Sequence, residues 1–423
     1  MDENTFFERL KRYSGGSLAL TVLSKKYLSA KKTGDHEAFS QDIVKRLGNF
    51  RGPLMKIGQF LAMVPDILPE PYVKALSSLQ AQAPPMGGLF VKRRLRGELG
   101  PHWHRFFKDF NLEPFAAASI GQVHKAQDLK GKTLACKLQY PNMGGIIEAD
   151  LSQLQLLLTL YEKIGGSLKT QKFFEEIQTY LYEEIDYKNE AQNIEIFQNI
   201  FNNDSNVSIP RVVPNLSTDR LLTMSYMKGE SLESFSKKPL FLRNRAAKNL
   251  FFAWYHPLYS FGYLHGDPHA GNYLFSSKGN ITLLDFGCVR KFTPEFIQGT
   301  RLLYEALKTN KEDMLVHAYE LWGFKSLTKD LIETLTLWAT FLYGPLLDNR
   351  TRPISETYNG KAGKEVAKKV LKDLKAHGKI ELPREFILMD RAAVGMGAAF
   401  IKLKAELNWH QLFEHILKSN PVA

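Results

Sequence analysis

The chain has 423 residues, of which 44% are hydrophobic and 24% charged, and its formal net charge at pH 7 is +12. A chain of this length and composition can bury more than one core, and it lacks long low-complexity stretches, which excludes a largely disordered protein. Its two cysteines, Cys136 and Cys288, exclude a disulfide framework and a cysteine-based metal cluster, and they fit a reducing compartment.

The apolar stretches are too short for a secretory signal or for a helix that spans a membrane. The run from Leu18 to Leu23 is followed at once by Lys25 and Lys26, and the run from Leu335 to Leu347 is interrupted by polar residues and a proline. The segment from Leu403 to Trp409 is typical of a soluble helix. We therefore expect a cytoplasmic protein without a signal peptide or transmembrane segment.

Residues 1–105 are predicted to form a mostly helical extension with a basic surface. Residues 1–110 hold 18 Lys and Arg against 10 Asp and Glu, including the cluster Lys92-Arg93-Arg94. Such a surface attracts an anionic bilayer, which leaves peripheral attachment to the inner face of a membrane open as an alternative to a merely solvated surface. Nucleic acid would feel the same field, but no recognition motif for it is present, so no nucleic-acid partner is expected.

A loop of small residues and a strand with a central lysine follow the extension. The loop consists of Ala116, Ala117, Ala118 and Ser119. Pro114 before it and the β-rich residues after it disfavour a helix, and alanine makes the loop stiffer than glycine would. The strand from Thr133 to Gln139 carries Lys137. On this pattern alone, the lysine would be interpreted as an outward-facing, solvated residue. Its place about fifteen residues after the loop instead matches the lysine that contacts the α- and β-phosphates in kinases.

The stretch from Phe173 to Phe201 has apolar residues at helical intervals and is predicted to form a long amphipathic helix. Its acids Glu183, Asp186 and Glu190 would share one face of that helix. Glu190 is therefore one candidate for the ion partner of Lys137.

A hinge is predicted after the next strand. The run from Asp219 to Met227 is predicted to form a turn, then a buried strand, and then a linker that ends in Lys228-Gly229-Glu230. The backbone from Ser225 through Tyr226 to Met227 is expected to meet the adenine edge of a bound nucleotide.

The strongest pattern lies in the second half of the chain. Asp267 and Asn272 are five residues apart, and Asp285-Phe286-Gly287 begins thirteen residues after Asn272, at the end of the short apolar strand 281–284. In protein kinases the first aspartate orients or deprotonates the attacking hydroxyl, while the asparagine and the last aspartate hold magnesium beside the triphosphate. We therefore predict that Asp267 is catalytic and that Asn272 and Asp285 bind Mg²⁺ in an ATP site.

The segment after Asp285 lacks the long activation segment on which protein kinases hold a peptide. Thr293-Pro294-Glu295 is instead predicted to be a helix N-cap with proline in the first turn.

Four motifs in combination resemble the UbiB (AarF) family of atypical kinase-like ATPases. They are Lys56-Ile57-Gly58-Gln59, the run from Ala116 to His124, the run from Lys137 to Pro141, and the run from His265 to His269. The resemblance extends from about residue 45 to about residue 290. It implies an α+β, atypical protein-kinase-like fold with two lobes. The implied domains are the N-terminal helical extension 1–105, the small lobe 106–226 and the largely helical large lobe 227–423.

The resemblance also implies roles for residues that the spacing alone does not single out. Lys56 and Gln59 would lie on the extension where it covers the active site, in the space that a protein substrate normally occupies. Glu184 and Asp186 match a Glu-x-Asp motif on the helix that corresponds to the kinase regulatory helix. Ser225 departs from the glutamate of many relatives, which makes the adenine preference less certain.

The function implied by the resemblance is a Mg-ATP-dependent kinase or ATPase that supports isoprenoid-quinone (ubiquinone) biosynthesis at a membrane surface. Anionic lipid, a quinone-precursor lipid and proteins of quinone biosynthesis are the implied partners, and phosphorylation of other proteins is not expected. The alternative is a pseudokinase-like regulator that binds nucleotide without phosphotransfer. The complete set Lys137, Asp267, Asn272 and Asp285 argues against that alternative, because a scaffold does not need a full magnesium site.

Overall fold

The computed structural model describes residues 86–118, 120–163, 170–356 and 383–419, together with short pieces between 365 and 374. Lys56, Gln59 and Ser119 lie outside the described residues, as does most of the predicted extension. The helices of the described part are α1 Gly88–Leu99, α2 Met143–Lys163, α3 Gln171–Glu184, α4 Tyr187–Ile200, α5 Leu232–Phe235, α6 Leu240–Phe261, α7 Pro294–Thr309, α8 Glu312–Leu321, α9 Lys329–Leu347, α10 Arg384–Leu403 and α11 Trp409–Ser419.

The strands of the described part are short, and most lie in two sheets. They are β1 Phe107–Phe110, β2 Ala116–Ala117, β3 Gly121–Asp128, β4 Thr133–Gln139, β5 Val207–Ser208, β6 Leu221–Ser225, β7 Glu230–Ser231, β8 Tyr263–His265, β9 Tyr273–Phe275, β10 Ile281–Leu283, β11 Val289–Lys291, β12 Arg352–Pro353 and β13 Glu406–Leu407. The contacts divide the chain into two compact units. Of the described residues, the first unit holds those up to Lys188 together with Val213–Ser225, and the second holds Asn189–Val212 and those from Tyr226 onward.

The first unit is built on a five-stranded sheet in which β1, β3, β4 and β6 follow one another and β2 adds to β3. Helix α1 packs on this sheet because its apolar residues recur four positions apart, so that Val91 and Leu95 enter the same core as Leu134 and Leu138 of β4. The predicted strand from Thr133 to Gln139 has the bounds of β4, so that prediction is confirmed.

The single helix predicted from Phe173 to Phe201 is wrong, because the chain forms two helices that are separated at Ile185 and Asp186. The amide of Asp186 bonds the carbonyl of Glu183, which tightens the last turn of α3, and the carbonyl of Ile185 accepts a hydrogen bond of 2.9 Å from Gln139. A residue of β4 thus satisfies a carbonyl that a continuous helix would have used itself.

The second unit combines helices with a four-stranded sheet of order β5-β10-β9-β7 and the separate pair β8 and β11. Its core is aromatic: Phe251 and Trp254 of α6 are buried, as are Trp409 and Phe413 of α11. The predicted cap of α7 is confirmed, since the hydroxyl of Thr293 accepts a hydrogen bond from the amide of Phe296 and Pro294 opens the helix.

The helix predicted from Leu403 to Trp409 is also wrong. Lys404 has a left-handed backbone with φ of 49° and ends α10, and Glu406 and Leu407 then form the strand β13, which pairs with β12. The indole of Trp409, at the start of α11, donates a hydrogen bond to the carbonyl of Arg352. The partner strand, 54 residues away, therefore decides the structure of this segment.

Two further expectations concern the membrane and the thiols. Within the described part of the chain, every helix is too short or too polar to cross a bilayer. Cys136 and Cys288, both in the described part of the chain, are buried, and neither forms a disulfide there. Burial raises the pKa of the Cys136 thiol to about 12, so that this side chain acts as a small core residue.

Candidate active site

In the first unit, β4 places Lys137 inside the protein rather than in solvent. The side chain is 5% exposed, and its residue stands opposite Val123 of β3 and Leu222 of β6. The Nζ atom lies 5.2 Å from the centroid of the Tyr187 ring, which is the geometry of a cation–π contact. The interpretation of Lys137 as a solvated surface lysine is therefore excluded, and its contact with phosphate stays a prediction.

Tyr187 is a residue that the sequence reasoning missed. It opens α4 directly after the Glu184-Ile185-Asp186 motif and is 1% exposed. Its hydroxyl oxygen would lie 2.9 Å from a Cβ atom placed on Gly121, so the same ring contacts the lysine and approaches the hairpin beside the alanine loop. A single aromatic residue after an acidic motif is an ordinary core residue in sequence, and no spacing rule points from it to Lys137.

The described alanines of the loop do not form a helix, as their flanking residues predicted; Ala116 and Ala117 form the strand β2, which is antiparallel to β3. Ala116 and Ala117 pair with Val123 and Gln122, and the amide of Ala118 bonds the carbonyl of Gly121. Gly121 is the one position here where glycine is required, because an added Cβ would overlap the carbonyl oxygen of Leu138. The contact of the alanines with nucleotide stays a prediction.

The polar residues of the same motif hold the hairpin in place. The side chain of Gln122 accepts from the amide of Met86 (2.9 Å), donates to its carbonyl (3.3 Å) and lies 2.9 Å from Nε2 of His124. Nδ1 of His124 donates to the carbonyl of Asn111 at 2.9 Å. Burial lowers the pKa of His124, so the ring is neutral and acts as a fixed part of the framework.

Gln139 and Arg94 connect the motifs of the first unit. Gln139 donates to Ile185 of the Glu-x-Asp motif, and Arg94 of α1 donates to the carbonyls of Gln139 (3.1 Å) and Tyr140 (3.2 Å). Arg94 also pairs with Glu98, and burial lowers its pKa. The expectation that Arg94 belongs to a basic surface is therefore wrong, whereas Lys92 and Arg93 are exposed.

The predicted acidic residues differ in burial. Glu184 is 4% exposed and Glu190 is 1% exposed, whereas Asp186 lies between the two helices and is exposed to solvent. Because the helix is interrupted there, the prediction that Glu183, Asp186 and Glu190 share one face is wrong. Glu184 belongs to the first unit, as Lys137 does, while Glu190 belongs to the second. The ion partner of Lys137 stays a prediction.

In the second unit, the predicted catalytic loop brings Asp267 and Asn272 into direct contact. The amide nitrogen of Asn272 donates to Oδ2 of Asp267 at 3.0 Å and to its carbonyl oxygen at 3.1 Å. A short 3₁₀ turn, Ala270–Asn272, makes this contact possible, and Nδ1 of His269 caps it by accepting from the amide of Gly271. Since the nitrogen of the Asn272 amide points to Asp267, its oxygen is the atom that remains to bind a cation.

Asp285 follows β10 and is fixed next to Asn272 through the backbone. The amide of Leu284 bonds the carbonyl of Asn272 at 2.8 Å, and Nε2 of the buried His265 donates to the carbonyl of Leu284 at 3.1 Å. Asp285 has a φ of 54°, which is unfavourable for a residue other than glycine, and its Oδ1 accepts from the amide of Gly287. Strain of this kind is typical of functional sites.

Two residues of α4 hold the Asp285-Phe286-Gly287 segment, and the sequence reasoning missed both. The side chain of Asn193 donates to the carbonyl of Phe286 at 2.9 Å, and the rings of Phe197 and Phe286 lie 5.2 Å apart. These contacts span more than 85 residues, which is why no local pattern points to them.

The donor set fits magnesium bound together with phosphate. Among the described residues, no group of three or more His, Cys, Asp and Glu side chains could hold a metal ion by itself. Magnesium in ATP sites takes one or two protein carboxylates and completes its shell with phosphate and water. The amide oxygen of Asn272 and the carboxylate of Asp285 supply hard oxygen ligands of that kind.

The two remaining predicted segments are short. Tyr226 and Met227, both partly buried, form a linker between β6 and β7 and lie at the boundary of the two units. After Asp285 the chain turns back at once, since β11 pairs with β8 and α7 begins at Pro294. The described residues between Asp285 and Pro294 therefore leave no room for a peptide-binding segment.

Replacement of Tyr187 by leucine is expected to weaken Mg-ATP binding about tenfold, since a desolvated cation–π contact contributes about 1–2 kcal/mol to the position of Lys137. Tyr187→Phe keeps the ring and should bind nearly as the wild type does. Calorimetric titration with a non-hydrolysable ATP analogue measures both, and Tyr182→Leu, at a tyrosine of α3 that is 39% exposed, is the matched control. Equal affinity of the leucine variant and the wild type would exclude this role of the ring.

The comparisons with known proteins agree on one family. The ABC1 atypical kinase-like domain matches residues 78–318. The mitochondrial atypical kinase COQ8 of Saccharomyces cerevisiae is 32% identical over 290 residues, which are 67% of this chain and 58% of that protein. The chloroplastic protein ACTIVITY OF BC1 COMPLEX KINASE 8 of Arabidopsis thaliana is 31% identical over 290 residues, 66% of this chain and 38% of that protein. The chain thus spans less than two thirds of these relatives.

A solved structure is similar over nearly the whole chain. The complex of Rv3197 with erythromycin from Mycobacterium tuberculosis has a TM-score of 0.61 and 25% identity, and the match covers 93% of this chain and 98% of that one.

Proposed function

Because the chain belongs to the ABC1 family of atypical kinase-like proteins, the UbiB or AarF family, we propose that it is a Mg-ATP-dependent ATPase or phosphotransferase. We propose further that it supports isoprenoid-quinone (ubiquinone) biosynthesis at a membrane surface. The family and the kinase-like fold read from the sequence motifs are confirmed. The activity, the substrate and the partners are proposals, since the chain spans only part of its curated relatives.

The observation that carries the proposal is the contact between Asp267 and Asn272 beside Asp285. One hydrogen bond of 3.0 Å joins the first two side chains, and one backbone bond of 2.8 Å ties Asn272 to the residue before Asp285. These contacts support the proposal, because they hold together, within one unit of the protein, the carboxylate that we assign to the acceptor and the two groups that we assign to magnesium. This is the arrangement that phosphoryl transfer needs, because its catalysis consists of positioning and charge stabilisation.

We assign the following roles to the residues of the site. Lys137 binds the α- and β-phosphates, Asn272 and Asp285 hold the magnesium ion, and Asp267 accepts the proton of the attacking group. Magnesium, when bound, neutralises charge on the phosphate oxygens. Two other segments are proposed to contact the nucleotide. The adenine is expected to lie at the backbone of Tyr226 and Met227, and the alanine loop is expected to cover the phosphates.

The acceptor is proposed to be water or a small molecule rather than a folded protein. The short segment between Asp285 and Pro294 supports this proposal, because protein kinases use a longer segment as their peptide platform. By the family resemblance, Lys56 and Gln59 would add to the exclusion of a protein substrate. Both residues lie outside the described part of the chain.

A single measurement tests the function: ATP hydrolysis by the whole chain with magnesium or with EDTA, each with and without anionic liposomes and a phenolic quinone precursor. We expect hydrolysis that requires magnesium and rises with lipid and precursor. Nucleotide binding without hydrolysis in every condition would instead support the alternative, a nucleotide-binding regulator of the pseudokinase type.

Liposomes rich in anionic lipid are expected to bind the protein and to raise its ATPase rate, while neutral liposomes do neither. The effect should weaken as salt is added, since surface charges are screened over about 8 Å at physiological ionic strength. Lys92→Glu combined with Arg93→Glu should reduce liposome binding, because both side chains are exposed on α1. The matched control is Lys325→Glu with Lys329→Glu, at two exposed lysines of the second unit. Equal loss in both double variants would contradict a role for α1.

A further inference from the structure

Helix α10, near the C-terminus, touches the predicted catalytic loop with its backbone. A Cβ atom placed on Gly395 would overlap Cγ of Pro268 and lie 3.0 Å from its Cβ, a distance at which the neighbour must give way. Pro268 is buried and directly follows Asp267. Only glycine lets the helix and the proline ring approach this closely.

The next residue of the helix makes a second contact with the loop. The hydroxyl of Tyr273 donates to Sδ of Met396 at 3.4 Å, and both side chains are 1% exposed. Tyr273 directly follows Asn272. One turn of α10 therefore contacts the chain neighbours of both Asp267 and Asn272.

The C-terminal part of α10, beyond Gly395, packs on α6 and α11. Phe400 packs on Trp409 with ring centroids 4.8 Å apart and on Phe251 at 6.0 Å. Arg243 of α6 donates to the carbonyl of Leu403, the last residue of α10, and to the carbonyl of Lys404, its C-cap residue. A helix fixed to α6 and α11 in this way can serve as a rigid support for the loop.

We propose that α10 positions Asp267 and Asn272 through Pro268 and Tyr273, and that Gly395 is the positioning residue on which this support depends. The proposal rests on the proposed function, in which Asp267 acts at the acceptor. Displacement of the loop by a side chain at position 395 would move Asp267 and Asn272 together. Lys137, which lies on β4 of the first unit, would stay in place.

Gly395→Ala is therefore expected to lower kcat for ATP hydrolysis at least tenfold and to raise the magnesium concentration that gives half of the maximal rate, because Asn272 moves together with Asp267. Gly97→Ala is the matched control, because Gly97 also lies in a helix but an added Cβ there meets open space. The control should keep the wild-type kcat. Since alanine favours a helix by about 1 kcal/mol over glycine, a loss at Gly395 cannot arise from helix propensity.

The double-mutant cycle with Pro268→Ala tests the contact itself. Alanine at 268 removes the Cγ atom that an added Cβ would overlap, so Pro268→Ala with Gly395→Ala should recover activity relative to Gly395→Ala alone. Should Gly395→Ala fail to fold, the double variant must fold. A double variant as inactive or as unfolded as Gly395→Ala would overturn the proposal.

Hydrogen exchange separates this proposal from the proposed function. Amides of residues 264–273 should exchange faster in Gly395→Ala than in the wild type and in Gly97→Ala, whether or not the protein hydrolyses ATP. If the wild type has no ATPase activity, the proposed function fails. The exchange rates of residues 264–273 then test by themselves whether α10 supports the loop. Unchanged exchange together with unchanged kcat would show that the loop does not depend on Gly395.

Discussion

Asp285→Asn is expected to abolish the magnesium-dependent stabilisation of the protein by ATP. The carboxylate is the only ionised metal ligand that we assign, and an amide in its place removes the charge that holds the cation. Lys137→Ala should have the same effect, because it removes the cation of the phosphate contact. For a wild type that binds ATP, saturation at a hundred times Kd adds about 2.7 kcal/mol to the free energy of unfolding, and both variants should lose it.

Thermal unfolding measures this loss when the Tm of each protein with ATP and magnesium is compared with its Tm with ATP and EDTA. Lys125→Ala is the matched control for the lysine, since Lys125 is an exposed residue of the neighbouring strand β3. Asp109→Asn is the control for the acid, at an exposed position of β1. Both controls should keep the full stabilisation. Equal stabilisation of Asp285→Asn and the wild type would remove Asp285 from the magnesium site.

Local patterns allowed part of this structure to be predicted from the sequence. Apolar residues on both sides of Lys137 predicted the strand β4 with its bounds, and Thr293-Pro294 predicted the start of α7. In both cases the residues that decide the structure are neighbours in the chain, and their propensities and caps act within a few residues.

The errors arose where a distant residue decides the structure. The apolar spacing of α3 continues into α4, so only the hydrogen bond from Gln139 reveals the interruption at Ile185. The residues after Lys404 have the composition of a helix, yet their pairing with β12 makes them a strand. Tertiary contacts override propensity in both cases.

The candidate site shows the same division. Kinase-type spacing predicted that Asp267, Asn272 and Asp285 act together, because that spacing is short and the proposed chemistry fixes the residue types, and the structure places the three residues next to one another. Spacing could not locate Tyr187, Asn193 or Gly395, since each acts through a contact with a residue at least 50 positions away. The residues that we propose to react can be predicted from a motif, whereas the residues that hold them in place can be found only from the fold.

Asp267→Asn is expected to lower kcat for ATP hydrolysis by about 10²–10⁴ and to leave nucleotide binding nearly unchanged, because we assign the lost carboxylate the role of general base and not of an ATP ligand. The hydrogen bond to Asn272 should remain in this variant, so that the substitution affects proton transfer and not the position of Asn272. An asparagine at 267 still offers an oxygen to the amide nitrogen of Asn272, which now donates to Oδ2 of Asp267 at 3.0 Å, so the orientation of Asn272 is kept.

Asp267→Ala removes that acceptor as well and releases the amide of Asn272 to rotate, so it should lose both turnover and part of the magnesium affinity. The comparison of the two variants therefore separates proton transfer from metal positioning. Single-turnover rates measure the chemical step that includes proton transfer, and magnesium titrations of the nucleotide complex measure the magnesium affinity. If Asp267→Asn lost magnesium affinity to the same extent as Asp267→Ala, Asp267 would act as part of the metal site and not at the acceptor.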